Sequence, residues 1–443
     1  MTYNILDYGA IGDAVTVNTE AIQKTIDACA ENGGGIVIVP AGVYMTKEIN
    51  LRSHVELFLE KNAILRATLN VPDDFPHRAF IYTEDAEDVG ISGYGTIDGH
   101  SDDPYYKRFR VNDALRPNGV FFRRCNQVSV KGIRIANAGS WTFRLLGCDG
   151  VKIEGITIHC LKQGNNDGID VDAKNVTISN CIISCDDDGI CLKSDLKDFM
   201  PENITVTNCV IASNCNPIKL GTSSRSGFRN VTFSNCVIRR TEESNIWEWS
   251  DHYRKVAPGT KTGLAGIAIE CVDGGLIENI SFSNIVMEGI ITPVFVCLNH
   301  RHGDKGVLRD LQFSNITAKA DGIIPSLISG VPGNEIEGII MRDIVVEHEG
   351  GEQPMEGRLP ENLNGYPENR MYGEYNPAGG LYVRHAKNII VENLQVRQRN
   401  ADYRPAVVLD DVNDFRLRGL KTSGCAAEEP VQALDSSDII VEK

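Results

Sequence analysis

Apolar and polar residues alternate along most of this chain in short β-branched runs, and the runs repeat. Asn175-Val-Thr-Ile-Ser-Asn-Cys-Ile-Ile183, Asn203-Ile-Thr-Val-Thr-Asn-Cys-Val-Ile211 and Asn230-Val-Thr-Phe-Ser-Asn-Cys-Val-Ile238 follow one another at roughly 25 to 28 residues, the period of stacked supersecondary units. Weaker copies begin near Gln127, Gly150, Asn279, Asp310, Gly338, Asn388 and Asp414. Each run is bounded by Asn, Gly or Asp, which predicts a strand between turns and leaves no room for a helix. A second strand follows inside the copy, as in Asp188-Gly-Ile-Cys-Leu-Lys193 and Asn216-Pro-Ile-Lys-Leu-Gly221. Strands recurring in this way stack coil on coil into parallel sheets, so the pattern predicts an all-β chain wound as a single-stranded right-handed parallel β-helix. The Leu-x-x-Leu-x-Leu frame of a leucine-rich horseshoe is absent.

The ends depart from the pattern. Residues 18–31 carry Ala21, Ile22, Ile26, Ala28 and Cys29 at helical spacing and stop at Gly33-Gly-Gly35, which predicts one amphipathic N-terminal helix. Within a cap of about residues 1–50 it would shield the open sheet end that invites aggregation. Two repeat intervals are nearly doubled, placing inserted loops at about 239–261 and 350–377; long loops on a rigid solenoid shape binding faces. The whole chain, 1–443, reads as one elongated domain. Cys181, Cys209 and Cys236 hold the same place in successive copies and are expected to stack as small buried apolar residues. Asn180, Asn208, Asn235, Asn284 and Asn315 recur likewise. Asn tolerates the left-handed turn and its amide bonds the next coil's amide, so these predict an internal ladder rather than a functional track.

Composition narrows the partners. A formal charge of -16 with no basic tract argues against nucleic acid and membrane surfaces. There is no transmembrane run, and Met1-Thr-Tyr-Asn-Ile-Leu-Asp-Tyr does not resemble a leader, which predicts a cytoplasmic protein, or a periplasmic or secreted one if a signal peptide has been removed. The odd count of 13 cysteines fits a reducing compartment. Neither metal-ligand spacing nor a cofactor motif is visible, so the expectation is no metal and no cofactor; the oligomeric state is not legible.

Candidate chemistry concentrates in two consecutive coils. Asn165-Asn-Asp-Gly-Ile-Asp-Val-Asp172 precedes Asp186-Asp-Asp-Gly-Ile-Cys-Leu-Lys193 by about one repeat, and the shared Asp-Gly-Ile frame aligns Asp167 with Asp188. Adjacent strands lie about 4.8 Å apart, so these carboxylates should be stacked neighbours with Asp187 beside them. Like charges this close raise at least one pKa and give proton donor and acceptor from one residue type, the equipment of glycosidic hydrolysis. Ordinary turn chemistry and calcium binding remain open from the residues alone.

At these residues the sequence resembles glycoside hydrolase family 28, the polygalacturonase-like enzymes. The resemblance extends from Asp7-Tyr-Gly-Ala-Ile-Gly-Asp13 through Gly34-Gly-Ile-Val-Ile-Val-Pro-Ala-Gly-Val-Tyr44 to Gly380-Leu-Tyr-Val-Arg-His385. Asn165-Asn166-Asp167 matches the family's Asn-Thr-Asp with Asn for Thr, and Asp187-Asp188 its double Asp. The resemblance implies inversion, with Asp187 protonating the leaving oxygen while Asp167 and Asp188 activate water. Such sites hold their carboxyl groups about 6.5 to 9.5 Å apart.

Two motifs depart from the family. Its Gly-His-Gly falls on Cys215-Asn216-Pro217, and its Arg-Ile-Lys, which holds a substrate carboxylate, falls on Ala268-Ile269-Glu270. Glu270 would repel a galacturonate carboxylate by several kcal/mol in a partly desolvated site, which argues against true polygalacturonase specificity. Alternation along the strands places Arg144, Asp170 and Lys219 in one outward row and Asp172, Lys193 and Glu270 in the next; the lysines would bind an acidic sugar or neutralise the neighbouring acids. Trp141, Trp247 in the first inserted loop and His300 in a turn complete the candidate substrate-binding residues, with Asn216. These features predict an exo-acting hydrolase of pectin-related or other plant oligosaccharides. The alternatives are a polysaccharide lyase or transglycosylating β-helix enzyme, with Lys219 as a base, and a non-catalytic carbohydrate-binding solenoid.

Overall fold

The computed structural model describes residues 1–109, 115–242, 263–303, 305–355, 357–363, 365–373 and 375–442. These fall into two compact units. The first takes in residues 1–191, 202–210 and 241–242, and the second 192–201, 211–240 and the described residues from 263 onward. Both are built almost wholly from parallel strand pairs. Among the described residues no helix is long and apolar enough to cross a membrane.

The first unit contains the predicted helix, at Thr19–Glu31, with Ile22, Thr25, Ile26 and Cys29 buried. Asn18 precedes it, but its side chain accepts from the Ile11 N–H at 2.6 Å and donates to the Thr16 carbonyl at 2.6 Å instead of capping the helix. The chain leaves through Gly33 and Gly34, at φ +88° and +90°, values that glycine adopts without steric cost. Strand Gly35–Val39 then pairs with Val55–Leu59, Val55–Leu59 with Glu87–Gly93, and Glu87–Gly93 with Asn126–Lys131. The same wall continues through Phe143–Glu154 and Ile169–Ser179 to Glu202–Thr207. Alternate residues point inward, so Leu57, Ile91, Val130, Ile153, Ile178 and Val206 are almost fully buried, and burying each contributes about 1.5–3 kcal/mol.

The second unit repeats the device with larger side chains. Gly227–Arg239 pairs with Leu276–Leu298, followed by Val307–Ala320, Ile336–Gly350 and Leu381–Asp402. In register, Phe233 stacks on Phe282 and Phe282 on Phe313, with ring centroids 5.5 and 5.2 Å apart. The three cysteines of the repeat are buried as expected, Cys181 and Cys209 in the first unit and Cys236 in the second, and each thiol donates to the carbonyl two residues earlier: Cys181 to Ser179, Cys209 to Thr207 and Cys236 to Ser234, at 3.2, 3.3 and 3.2 Å.

The asparagine ladder is present in both units. Asn208 donates to Asn180 at 3.4 Å, Asn284 to Asn235 at 3.0 Å and Asn315 to Asn284 at 2.7 Å. All five residues sit at φ between 51° and 58°, so one residue type both makes the turn and ties it to the next coil.

Of the two inserted loops, 239–261 lies largely outside the described residues. The other docks on its own unit. Leu359, Tyr372 and Ala378, flanked by Met371 and Tyr375, pack against Ala268, Phe295, Leu327, Tyr382 and Val408. Asn369 donates to the Leu264 carbonyl and the Thr292 hydroxyl, both at 2.9 Å, and buried Arg384 donates to the Leu359 carbonyl at 3.0 Å.

The ladder yields a stability prediction. Asn284→Ala removes two ladder bonds and puts alanine at φ +55°, and should lower stability by about 1–2 kcal/mol. Asn284→Gly should cost less, because glycine relieves the strain. Urea unfolding of the three proteins checks the order; equal midpoints would refute it.

Candidate active site

Register brings the acids of the first unit together. The Thr142 N–H donates to the Asp167 carbonyl at 2.8 Å, the Gly168 N–H to the Asp188 carbonyl at 2.8 Å, and the Ile169 N–H to the Gly189 carbonyl at 2.9 Å. The two Asp-Gly-Ile segments therefore run side by side, as their shared frame predicts, with Trp141 on the preceding coil. One carboxylate oxygen each of Asp167 and Asp188 lies within 4.8 Å of the other and of the Cys191 sulfur, and the nearest oxygens of Asp187 and Asp188 also lie within 4.8 Å. Asp167 and Asp188 are buried, each 3% exposed, while Asp187 is partly exposed.

A buried amide shapes the turn that presents Asp187. Asn166, with no exposure, accepts the N–H groups of both Asp186 and Asp187 at 3.1 Å on its Oδ1 and donates through Nδ2 to the Cys160 carbonyl. Asp187 Oδ1 accepts the Asp188 N–H at 2.9 Å. Below the turn, the Cys185 thiol donates to the Asp187 and Asp188 carbonyls at 3.3 Å. Burial first, then the charges of Asp167 and Asp187, push that thiol's pKa well above the usual range. It serves as a hydrogen-bond donor, since thiolate chemistry requires a lowered pKa.

The remaining first-unit candidates flank this cluster. Arg144 pairs in register with Asp170, and Leu146 with Asp172; both acids are buried. The Arg144 guanidinium lies 4.6 Å from the Trp141 ring centroid and 4.7 Å from that of Phe121. Trp247 lies outside the described residues.

In the second unit, Lys219 and Glu270 form an ion pair at 3.5 Å, 3% and 1% exposed, and the Lys219 ammonium stands 6.0 Å from the Tyr366 ring centroid. The repulsion expected of an isolated Glu270 is thus offset inside a charge-neutral pair. Asn216 is buried and accepts the Ala265 N–H at 3.2 Å. Lys193 is half-buried on strand Ile190–Ser194. The His300 ring meets the Asn334 amide at 3.2 Å, and burial, followed by Lys305, lowers its pKa.

Two contributors escaped sequence reasoning. Asn166 was visible only as a mismatch with the family's Thr; the positioning amide is a role that Thr, with one hydroxyl, fills differently. Cys185 carried no signal beyond its burial-prone type.

Residues 29–246 match the family described as Glycosyl hydrolases family 28. A probable polygalacturonase of Vitis vinifera is 23% identical over 384 residues, covering 77% of this chain and 74% of that protein. Plasmin and fibronectin-binding protein A of Streptococcus pneumoniae is 32% identical over 190 residues, 40% of this chain and 23% of that protein. Among solved structures, an exopolygalacturonase from Thermotoga maritima superposes with a TM-score of 0.70 at 21% identity, covering 89% of this chain and 91% of that one.

Two substitutions test the geometry. Asn166→Ala removes the side chain that accepts from the Asp186 and Asp187 N–H groups and should cost about 2–5 kcal/mol, read by denaturant melts; an unchanged midpoint would dismiss the clamp. Glu270→Gln removes the carboxylate that faces the buried Lys219 ammonium and should destabilise by about 3–5 kcal/mol. The double change Lys219→Met with Glu270→Met should recover most of that loss, and failure to recover would show that the charge is not the cause.

Proposed function

We propose that this glycosidase, whose residues 29–246 match glycoside hydrolase family 28, hydrolyses a glycosidic bond of pectin-related or other plant oligosaccharides, acting from a chain end with inversion. Asp187 gives its proton to the leaving oxygen as the bond to the anomeric carbon breaks. Asp167 and Asp188 take a proton from the water that attacks that carbon. The observation that carries this reading is the buried Asp167–Asp188 pair beside a partly exposed Asp187 whose turn is clamped by Asn166. Crowded carboxyls supply one protonated and one ionised group without a second residue type.

Exo-action is supported by the loop of 350–377, which covers the outer face of its unit from Ala268 to Val408 and leaves that strip closed to a polymer. We read the winding as right-handed, the hand that parallel crossovers take in about 98% of cases, and the helix Thr19–Glu31 as the cap of the first coil. Hydrolysis is favoured over β-elimination because Lys219, the available base, is engaged with Glu270. It is favoured over simple sugar binding because concentrated like charge is costly unless used.

One observation favours a second stereochemical course. The nearest oxygens of Asp187 and Asp188 lie within 4.8 Å, closer to the separation of about 5–5.5 Å in retaining enzymes than to the inverting range of about 6.5–9.5 Å. Proton NMR of the first-formed anomer, on defined acidic and neutral plant oligosaccharides, separates the two courses.

Asp187→Asn should lower kcat by about 10²–10⁴-fold and leave substrate binding and Tm nearly unchanged. Full activity in that variant would remove Asp187 as the acid, and an unsaturated, ultraviolet-absorbing product would replace hydrolysis with elimination.

A further inference from the structure

The sheet face that carries Arg144 and Asp170 continues toward the N-terminus through residues of a different character. Asn50 pairs with Tyr82, Tyr82 with Phe121, Phe121 with Arg144, and Arg144 with Asp170. Those are four register steps of about 4.8 Å, or about 19 Å from Asn50 to Asp170. Their neighbours Ile81, Val120 and Phe122 point into the core, so this row faces outward. Its rings touch in series: Tyr82 meets Phe121 edge-on with centroids 5.5 Å apart, and Arg144 bridges Phe121 and Trp141.

At the far end the row opens into a cavity. The His77 ring lies flat on Tyr82, centroids 4.1 Å apart and planes within 2°, with 47% of its side chain exposed. Next to it is a half-open cavity of about 310 Å³, lined by Asn50, Arg52, Ser53, His77, Tyr82 and Glu84 among others, at the low end of ligand-pocket sizes.

The charges around the cavity are matched. Arg52 pairs with Asp27 at 2.9 Å, His77 meets Glu48 at 2.5 Å, and Glu84 accepts from Arg124 at 2.7 Å and from the Tyr82 hydroxyl at 2.5 Å. A flat ring face bordered by charge-compensated hydrogen-bonding groups suits the apolar face and hydroxyls of an uncharged sugar. A uronate would instead call for a surplus of positive charge.

We propose that this cavity is a distal subsite for a neutral pyranosyl unit of a chain whose reacting end lies at Asp167 and Asp188. The proposal rests on the hydrolase reading above and adds the class of sugar and the direction of the chain. A pyranose repeat is on the order of one strand spacing, about 4.8 Å, so about four sugar units separate the subsite from the acids.

Calorimetric titration of the full-length Asp187→Asn variant tests it, with β-1,4-linked galactose, glucose and xylose oligomers of two and six units and galacturonate oligomers of the same lengths. At least one neutral series should bind about tenfold more tightly at six units than at two, the effect of one good ring contact and its flanking hydrogen bonds. Adding His77→Ala or Glu84→Gln should erase that gain without changing affinity for the dimer or the Tm. The subsite is overturned if no neutral series gains with length, if the gain survives both variants, or if only galacturonates gain. Binding is read without turnover, so failure of the native enzyme to release hydrolytic product sinks the hydrolase reading and leaves the titration result intact.

Discussion

Residue-for-residue register between consecutive parallel strands is the constraint on which the rest depends. Strands about 4.8 Å apart convert a sequence period into side-chain contact, so any residue type recurring at that period meets itself. Phe233, Phe282 and Phe313 become a ring stack, Asn235, Asn284 and Asn315 a hydrogen-bonded ladder, and Asp167 and Asp188 a carboxylate pair. The same geometry is stabilising for rings and amides and repulsive for carboxylates. A pair of acids at such a position is therefore supported by its surroundings rather than by its own interaction.

That support comes from buried polar groups with assigned partners. Asn166 gathers two N–H groups at the turn, and the Cys185 thiol donates to two carbonyls. In the second unit the buried Arg404–Asp402 pair, at 2.8 Å, follows the same logic. Ionised groups out of water are tolerated when paired and hydrogen-bonded, and fully partnered buried polar groups hold their side chains rigidly in one arrangement. Strand placement makes the geometry of the acids a property of the coil, while the loop of 350–377 packs on the sheet of its own unit.

Much of this was legible along the chain because it is periodic and local. Alternation announced the strands, apolar spacing the helix at Thr19–Glu31, and the Asp-Gly-Ile frame the alignment of Asp167 with Asp188. The asparagines at positive φ disclosed both turn and ladder, because a single side chain serves both needs. What the sequence by itself determined, then, is the repeat, the inward and outward faces, and which acids meet.

Only the tertiary structure decided the rest. That Lys219 is engaged by Glu270, that Asn166 holds the turn of Asp187, and that Asn369 reaches the carbonyl of Leu264, 105 residues away, depend on contacts with no fixed spacing. The physical reason is that coil register is a one-dimensional rule repeated at every step. Choosing a partner for a buried charge or a docking face for a loop is instead a single event, set by whichever groups the finished fold brings within hydrogen-bonding distance.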